Sequence, residues 1–175
     1  SMAKFEFVDP VDDQAGPMPV KLSPNSIAAP DLDNAVDVQL DMTGGAMGRT
    51  DGLIYQGKQL DIQQMYDAGQ VWAFNGVAGM PETPLFKVSR GQTVKLTMVN
   101  DTRWPHAMHL HGHHFRVLSR DGRPEPHTPW RDTVTAGAGQ KIEIALVADN
   151  PGKWLLHCHM AEHMAAGMMT WFEVG

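Results

Sequence analysis

His157-Cys158-His159-Met160-Ala161-Glu162-His163-Met164-Ala165-Ala166-Gly167-Met168-Met169 is the stretch on which the reading of this 175-residue chain turns. It holds the chain's only cysteine, with a histidine on either side, another histidine five residues after it and a methionine five further on. A second window, His106-Ala107-Met108-His109-Leu110-His111-Gly112-His113-His114-Phe115, lies upstream, and the two windows contain eight of the nine histidines. The remainder reads as the scaffold that brings these windows together.

Ligand chemistry gives the first inference. Two imidazoles, one thiolate and a weakly held axial thioether make a blue-copper electron-transfer site. Cys158, His163 and Met168 supply three of these four groups, and His106 is the natural candidate for the fourth. Zinc also accepts Cys and His, but structural zinc sites usually use cysteine pairs and have no need of a thioether. In an extended segment successive side chains alternate between faces. Cys158 then points one way while His157 and His159 point the other, and His109 and His111 likewise share a face. The two His-x-His pairs can hold further copper, only a few bonds from the thiolate.

These residues closely resemble the C-terminal copper motifs of the multicopper oxidases, laccase-like enzymes that couple one-electron substrate oxidation to reduction of dioxygen to water. The resemblance covers roughly residues 70–175. It implies an all-β, cupredoxin-like Greek-key β-sandwich in which His106, Cys158, His163 and Met168 bind type 1 copper. It further implies that His109 is a type 2 ligand and that His111, His157 and His159 are type 3 ligands, with Cys158, His157 and His159 as the electron path. The family's trinuclear cluster takes half its histidines from an N-terminal domain, whereas this chain has no histidine before His106. The chain therefore looks like a C-terminal domain holding half a cluster, whose partners are N-terminal cupredoxin domains, dioxygen and a small phenolic, aromatic or metal-ion reductant. A periplasmic or extracellular location is implied by the same resemblance. Two other readings stay open: an isolated blue-copper electron-transfer module, and a copper-tolerance cuprous oxidase or copper-binding protein.

Composition agrees with a soluble globular domain: 42% hydrophobic and 19% charged residues. A net charge of −6 without any basic run argues against nucleic-acid binding. No apolar run is long enough to span a membrane and no signal peptide is present, while Ser1-Met2-Ala3 looks like a leftover of recombinant expression. One cysteine permits no intrachain disulfide.

Residues 1–35 read as a linker or arm, with Pro10, Pro17, Pro19, Pro24 and Pro30; a disordered tail is the other reading. The cupredoxin domain is expected over 36–175. Its first strand is Val36–Met42, which alternates apolar and polar residues. Thr43–Gly48 reads as a connection or a substrate-facing loop, and Asp61–Ala68 as a helical turn or a loop. From Gln70 onward short strands alternate with turns. These include Val71–Gly76, Leu85–Val88, Gln92–Asn100 with Val94, Leu96 and Met98 on one face, Phe115–Leu118, Lys141–Val147, Lys153–Leu156 and Met169–Val174. A polar loop is expected over Asp121–Pro129.

Other candidates take lesser roles. His113 reads as a hydrogen-bonding neighbour of the ligands, and His127 as solvent-facing. Most of the 12 methionines read as core filling. Glu162 and Asp132 could orient a ligand or move protons. Many relatives carry an acidic residue directly after the second type 1 histidine, where this chain has Met164.

Overall fold

The computed structural model of the chain describes Val20 and residues 22–23, 26–48 and 50–175. Most of the expected arm therefore lies outside the described residues. Among them the elements run β1 (Val36–Gly44), β2 (Leu53–Tyr55), β3 (Lys58–Leu60), α1 (Ile62–Asp67), β4 (Trp72–Phe74), β5 (Val77–Ala78), β6 (Lys87–Val88), β7 (Thr93–Asn100) and β8 (His106–Leu110). They continue with β9 (Phe115–Arg120), β10 (Arg123–Pro124), β11 (Trp130–Arg131), β12 (Thr133–Ala136), β13 (Lys141–Val147), β14 (Gly152–Cys158), α2 (Ala161–Ala165) and β15 (Met169–Val174).

The strands form two packed sheets, the expected cupredoxin-like sandwich. The larger has the order β10-β9-β13-β7-β1-β4-β5-β2-β3, with β11 beside β9, and the smaller β12-β8-β14-β15-β6. Alternation explains the packing. Leu40 and Met42 of β1, Val94, Leu96 and Met98 of β7, and Ile142, Ile144 and Leu146 of β13 are fully or almost fully buried. They meet Met108, Leu110, Leu156 and Phe172 from the smaller sheet in one core. Phe172 stacks on Phe86 with ring centroids 4.8 Å apart, which adds to its area burial. Cys158 and Met168 belong to this same core.

Two local expectations are sharpened. Asp61–Ala68 contains a helix because Asp61 accepts a hydrogen bond from Gln64 N at 2.9 Å while Gln64 Oε1 accepts from Asp61 N at 3.0 Å. Such a capping box satisfies two of the donors a helix start leaves free. Asp121–Pro129 is not loop throughout: Arg123 and Pro124 pair with Arg120 and Ser119, since Asp121 at φ 50° and Gly122 at φ 74° turn the chain back on itself. Ahead of β1 the chain is tied to the start of β7, where Asp31 N donates to Thr93 Oγ1 at 2.9 Å. No helix among the described residues is long and apolar enough to cross a membrane.

Candidate metal centre

Strands β8 and β14 pair antiparallel, with His157 opposite His109, Cys158 opposite Met108 and Leu156 opposite Leu110. Directly opposed residues share a face. Met108 and Cys158 thus point into the core, while His109 and His157 stand together on the outer face. His106, the first residue of β8, is inward by the same alternation and is fully buried.

The inward group is a triangle. His106 Nδ1 lies 3.0 Å from His163 Nδ1, and Cys158 Sγ lies 3.9 Å and 3.7 Å from these two nitrogens. With metal–nitrogen bonds of about 2.0 Å and metal–sulfur bonds of about 2.3 Å, trigonal donors would sit about 3.5 Å (N to N) and about 3.7 Å (N to S) apart. The observed edges are close to those, so the three donors fit one ion. Their softness suits copper. Burial holds the His106 imidazole down to a pKa of about 4, helped by nearby His163. His163 is lowered by burial, partly offset by Glu162. Burial raises the Cys158 thiol. Without metal the group is therefore neutral, as a buried site requires.

His163 and Met168 lie on a tight excursion between β14 and β15, containing the single turn of α2. Its base is closed by Cys158 N donating to Met168 O at 3.1 Å and Met168 N donating to His163 O at 3.0 Å. Its far side is clamped by β4 and its flanks: Val71 N and Trp72 N both donate to Ala166 O at 3.0 Å, and Gly79 N donates to Gly167 O at 2.9 Å. Gly167 takes φ +120°, and a Cβ there would sit 2.2 Å from Trp72 O. Met168 is fully buried beside these contacts. The Trp72 ring lies 4.9 Å from the His106 ring and 4.7 Å from the His163 ring, centroid to centroid, roofing the triangle. None of the sequence motifs marks Trp72 as part of the site. Only its place in an apolar strand pointed to it, because the contact depends on the packing of β4 over the ligand loop.

The outward group comprises His109, His111 and His157, each with a ligand nitrogen within 4.8 Å of the others. His111 Nε2 and His157 Nε2 are 3.0 Å apart. His157 Nδ1 donates to Cys158 O at 2.8 Å, leaving Nε2 as its free lone pair. His109 Nδ1 faces Thr133 Oγ1 at 2.9 Å and Asp132 O at 3.1 Å, while the Thr133 hydroxyl donates to Asp132 Oδ1 at 3.0 Å. The hydroxyl proton is thereby used, and His109 Nδ1 donates. Asp132 thus orients a histidine, partly through its neighbour. Burial lowers the pKa of both His111 and His157, with further lowering from the neighbouring imidazoles.

His159 stands beside the three, its ring nearer to that of His109 than the His157 ring is at 5.5 Å. It follows the last residue of β14, is exposed, and its ring lies 5.3 Å from that of His109 and 5.9 Å from that of His157. His113 is buried, donating from Nδ1 to His111 O at 3.3 Å and accepting at Nε2 from Asn150 N at 3.3 Å, so it fixes the backbone that carries His111. His127 is exposed.

A sandwich with a thiol–imidazole triangle on the inner face of one sheet and an imidazole cluster on its outer face defines a copper-binding cupredoxin domain. The multicopper oxidase family profile matches residues 55–175, and the chain belongs to that family. It is 42% identical over 99 residues to multicopper oxidase MmcO of Mycobacterium tuberculosis, covering 57% of this chain and 19% of that protein. Laccase-2 of Fomitopsis schrenkii is 38% identical over 94 residues, covering 50% of this chain and 18% of that one. A crystal structure of a multicopper oxidase from Pseudomonas thermotolerans superposes with a TM-score of 0.70 at 26% identity, over 91% of this chain and 34% of that one. The chain thus spans about a fifth of these curated relatives and about a third of the solved enzyme. Proteins of this family bind copper, and the triangle of His106, Cys158 and His163 is consistent with a type 1 site.

Proposed function

We propose that this chain is the type 1 copper domain of a laccase-like oxidase. In this reading His106, Cys158, His163 and Met168 would hold the type 1 copper. His109 serves a type 2 copper, and His111, His157 and His159 serve type 3 copper in a trinuclear cluster completed by another cupredoxin domain. Copper bound at these places supplies one-electron redox chemistry at the first site and dioxygen reduction to water at the second.

The chain's own residues do the rest. Trp72 and the core exclude water from Cys158 and His106. Half-buried His163 is the proposed ligand closest to solvent, which suits the approach of a small phenolic, aromatic or metal-ion reductant on that side. Cys158 joins the two groups: its Sγ belongs to the triangle while its carbonyl accepts from His157 Nδ1 at 2.8 Å. That double attachment is the observation that carries the proposal. The outer sheet face, with its histidines at one end and a groove lined by Met80, Pro81, Trp154, Leu155 and Trp171, suits docking of the partner domain. A periplasmic or extracellular setting, and a domain spanning 36–175 with 1–35 as its arm, belong to the same reading.

A second reading is favoured by the histidine count. All nine histidines lie at or after His106, and three converge on the outer face. By itself such a chain would be a blue one-electron carrier. Loading it with Cu(II), with metal analysis and a visible spectrum, tests what both readings share. An intense thiolate-to-copper band at one copper per chain, abolished in Cys158→Ser, is expected. Bound copper without that band in folded protein refutes the type 1 assignment. Steady-state rates with a phenol against Cu(I), measured on the full-length oxidase, separate a laccase from a cuprous oxidase.

A further inference from the structure

We propose that Asn100 and Thr102 are positioning residues that hold His106 in the single tautomer able to bind copper. The proposal rests on the reading of His106 as a copper ligand. Asn100 ends β7, in the sheet opposite the one that carries the ligands, and Thr102 lies in the short connection to β8. Both are buried, with 0% and 3% of their surface exposed, which is unusual for such residues unless every polar atom has a partner.

The protons can be traced in one direction. Asn100 Nδ2 faces three carbonyls, Trp104 O at 2.8 Å, Gly137 O at 2.8 Å and Ala136 O at 3.2 Å. Only an NH2 group can face three acceptors, so the amide is oriented with Oδ1 toward Thr102. Asn100 Oδ1 accepts from Thr102 N at 3.0 Å and lies 2.7 Å from Thr102 Oγ1. The hydroxyl's other acceptor is Trp104 O at 3.0 Å. Both neighbours only accept, and two oxygens 2.7 Å apart need a proton between them, so the single hydroxyl proton goes to Asn100 Oδ1 rather than to the imidazole. Toward His106 Nε2, 2.8 Å away, Thr102 Oγ1 can therefore only accept. The imidazole proton sits on Nε2, and Nδ1 presents a bare lone pair to His163 Nδ1 and Cys158 Sγ.

The opposite tautomer would place a proton where the metal bonds. Hydrogen-bond partners of ligating histidines typically change metal affinity by about 10–100-fold when removed. The network also ties the ligand to both sheets, since Asn100 bonds across to the residues that end β12.

The test has two arms on the 175-residue chain. In the metal-free wild type, long-range nitrogen–proton NMR correlations of His106 are expected to show the proton on Nε2; a proton on Nδ1 overturns the proposal and needs no variant to fold. In the second arm, the affinity for the first copper is measured by chelator competition for wild type, Thr102→Val and Thr102→Ser. The valine variant is expected to lose about 10–100-fold and to shift or weaken the thiolate-to-copper band, whereas the serine variant, keeping the hydroxyl, restores both. Equal affinities and bands in all three overturn the proposal while leaving the type 1 reading intact. A colourless copper complex of the wild type would instead refute that reading, and the NMR arm would still decide the tautomer.

Discussion

Acidifying the metal-free chain should destabilise it in a window set by His106. Its imidazole titrates near 6.5 when unfolded and is held to about 4 in the fold by burial, with a contribution from His163. Between these values the unfolded chain binds the extra proton, so stability falls as pH falls. The contribution is fully present above pH 6.5. Each pH unit of separation between the two titrations is worth about 1.36 kcal/mol, so about 2 kcal/mol is lost by pH 5 and about 3 kcal/mol by pH 4. That is a sizeable part of the roughly 5–15 kcal/mol that holds a domain folded. His111, His113, His157 and His163 are also lowered, so they add loss of the same sign. The assay is urea unfolding followed by tryptophan fluorescence at pH 7, 5 and 4 with a chelator present, on wild type and His106→Gln. The variant should lose one proton from the slope, about 1.4 kcal/mol per pH unit at the middle of the window. A slope unchanged by the substitution, or a flat wild-type profile, would refute the reasoning.

Three further outcomes are expected. Gly167→Ala forces a Cβ to within 2.2 Å of Trp72 O at φ +120°; it should cost about 2–4 kcal/mol in denaturant unfolding and diminish the thiolate-to-copper band, as the ligand loop must move. Thr133→Val removes the acceptor 2.9 Å from His109 Nδ1 and should weaken copper binding at the outer group about 10–100-fold, leaving the band of the inner site in place; copper titration with the band as an internal control checks it. Because burial raises the Cys158 thiol, copper binding at the triangle must displace its proton. The affinity at that site should therefore rise about tenfold per pH unit between pH 6.5 and 8, readable by chelator competition.

The candidate donors that the fold brings together were legible because metal chemistry writes itself locally. His157, Cys158, His163 and Met168 fall within twelve residues, and strand alternation alone separates Cys158 from His157. The long strands β1 and β7 were legible for a related reason: each alternates over six or more residues against one core. What was missed depends on contacts distant in sequence. Trp72 reaches His106 and His163 only after β4 has paired with β1 and crossed the ligand loop. Asn100 and Thr102 look like an ordinary strand end and turn until three carbonyls converge on one amide. The helix over Asp61–Ala68 was left open because six residues are too few for a hydrophobic period to show; its capping box was the readable signal. His159, one residue past β14, keeps the face that alternation assigns it, its ring stacked on that of His157 at 5.9 Å.

The division of ligands between strands and a loop bears on how the site works. His106 and Cys158 sit on the ends of adjacent strands, and cross-strand hydrogen bonds fix their spacing whatever the metal does. His163 and Met168 sit on a loop, which by itself would be free to shift. That loop is closed onto Cys158 and Met168 by backbone bonds and clamped by Val71, Trp72 and Gly79. The donor atoms of His106, Cys158 and His163 stand at spacings that suit a common ion, and a close-packed core opposes their displacement. In the proposed reading the centre cycles between two charge states and gains from such rigidity, because each electron then moves with little rearrangement of the protein around it. The clamp from β4 should thus matter for electron-transfer rate as much as for copper affinity. Loosening it at Gly167 should slow transfer even at saturating copper, whereas losing only the His109 acceptor at Thr133 should not.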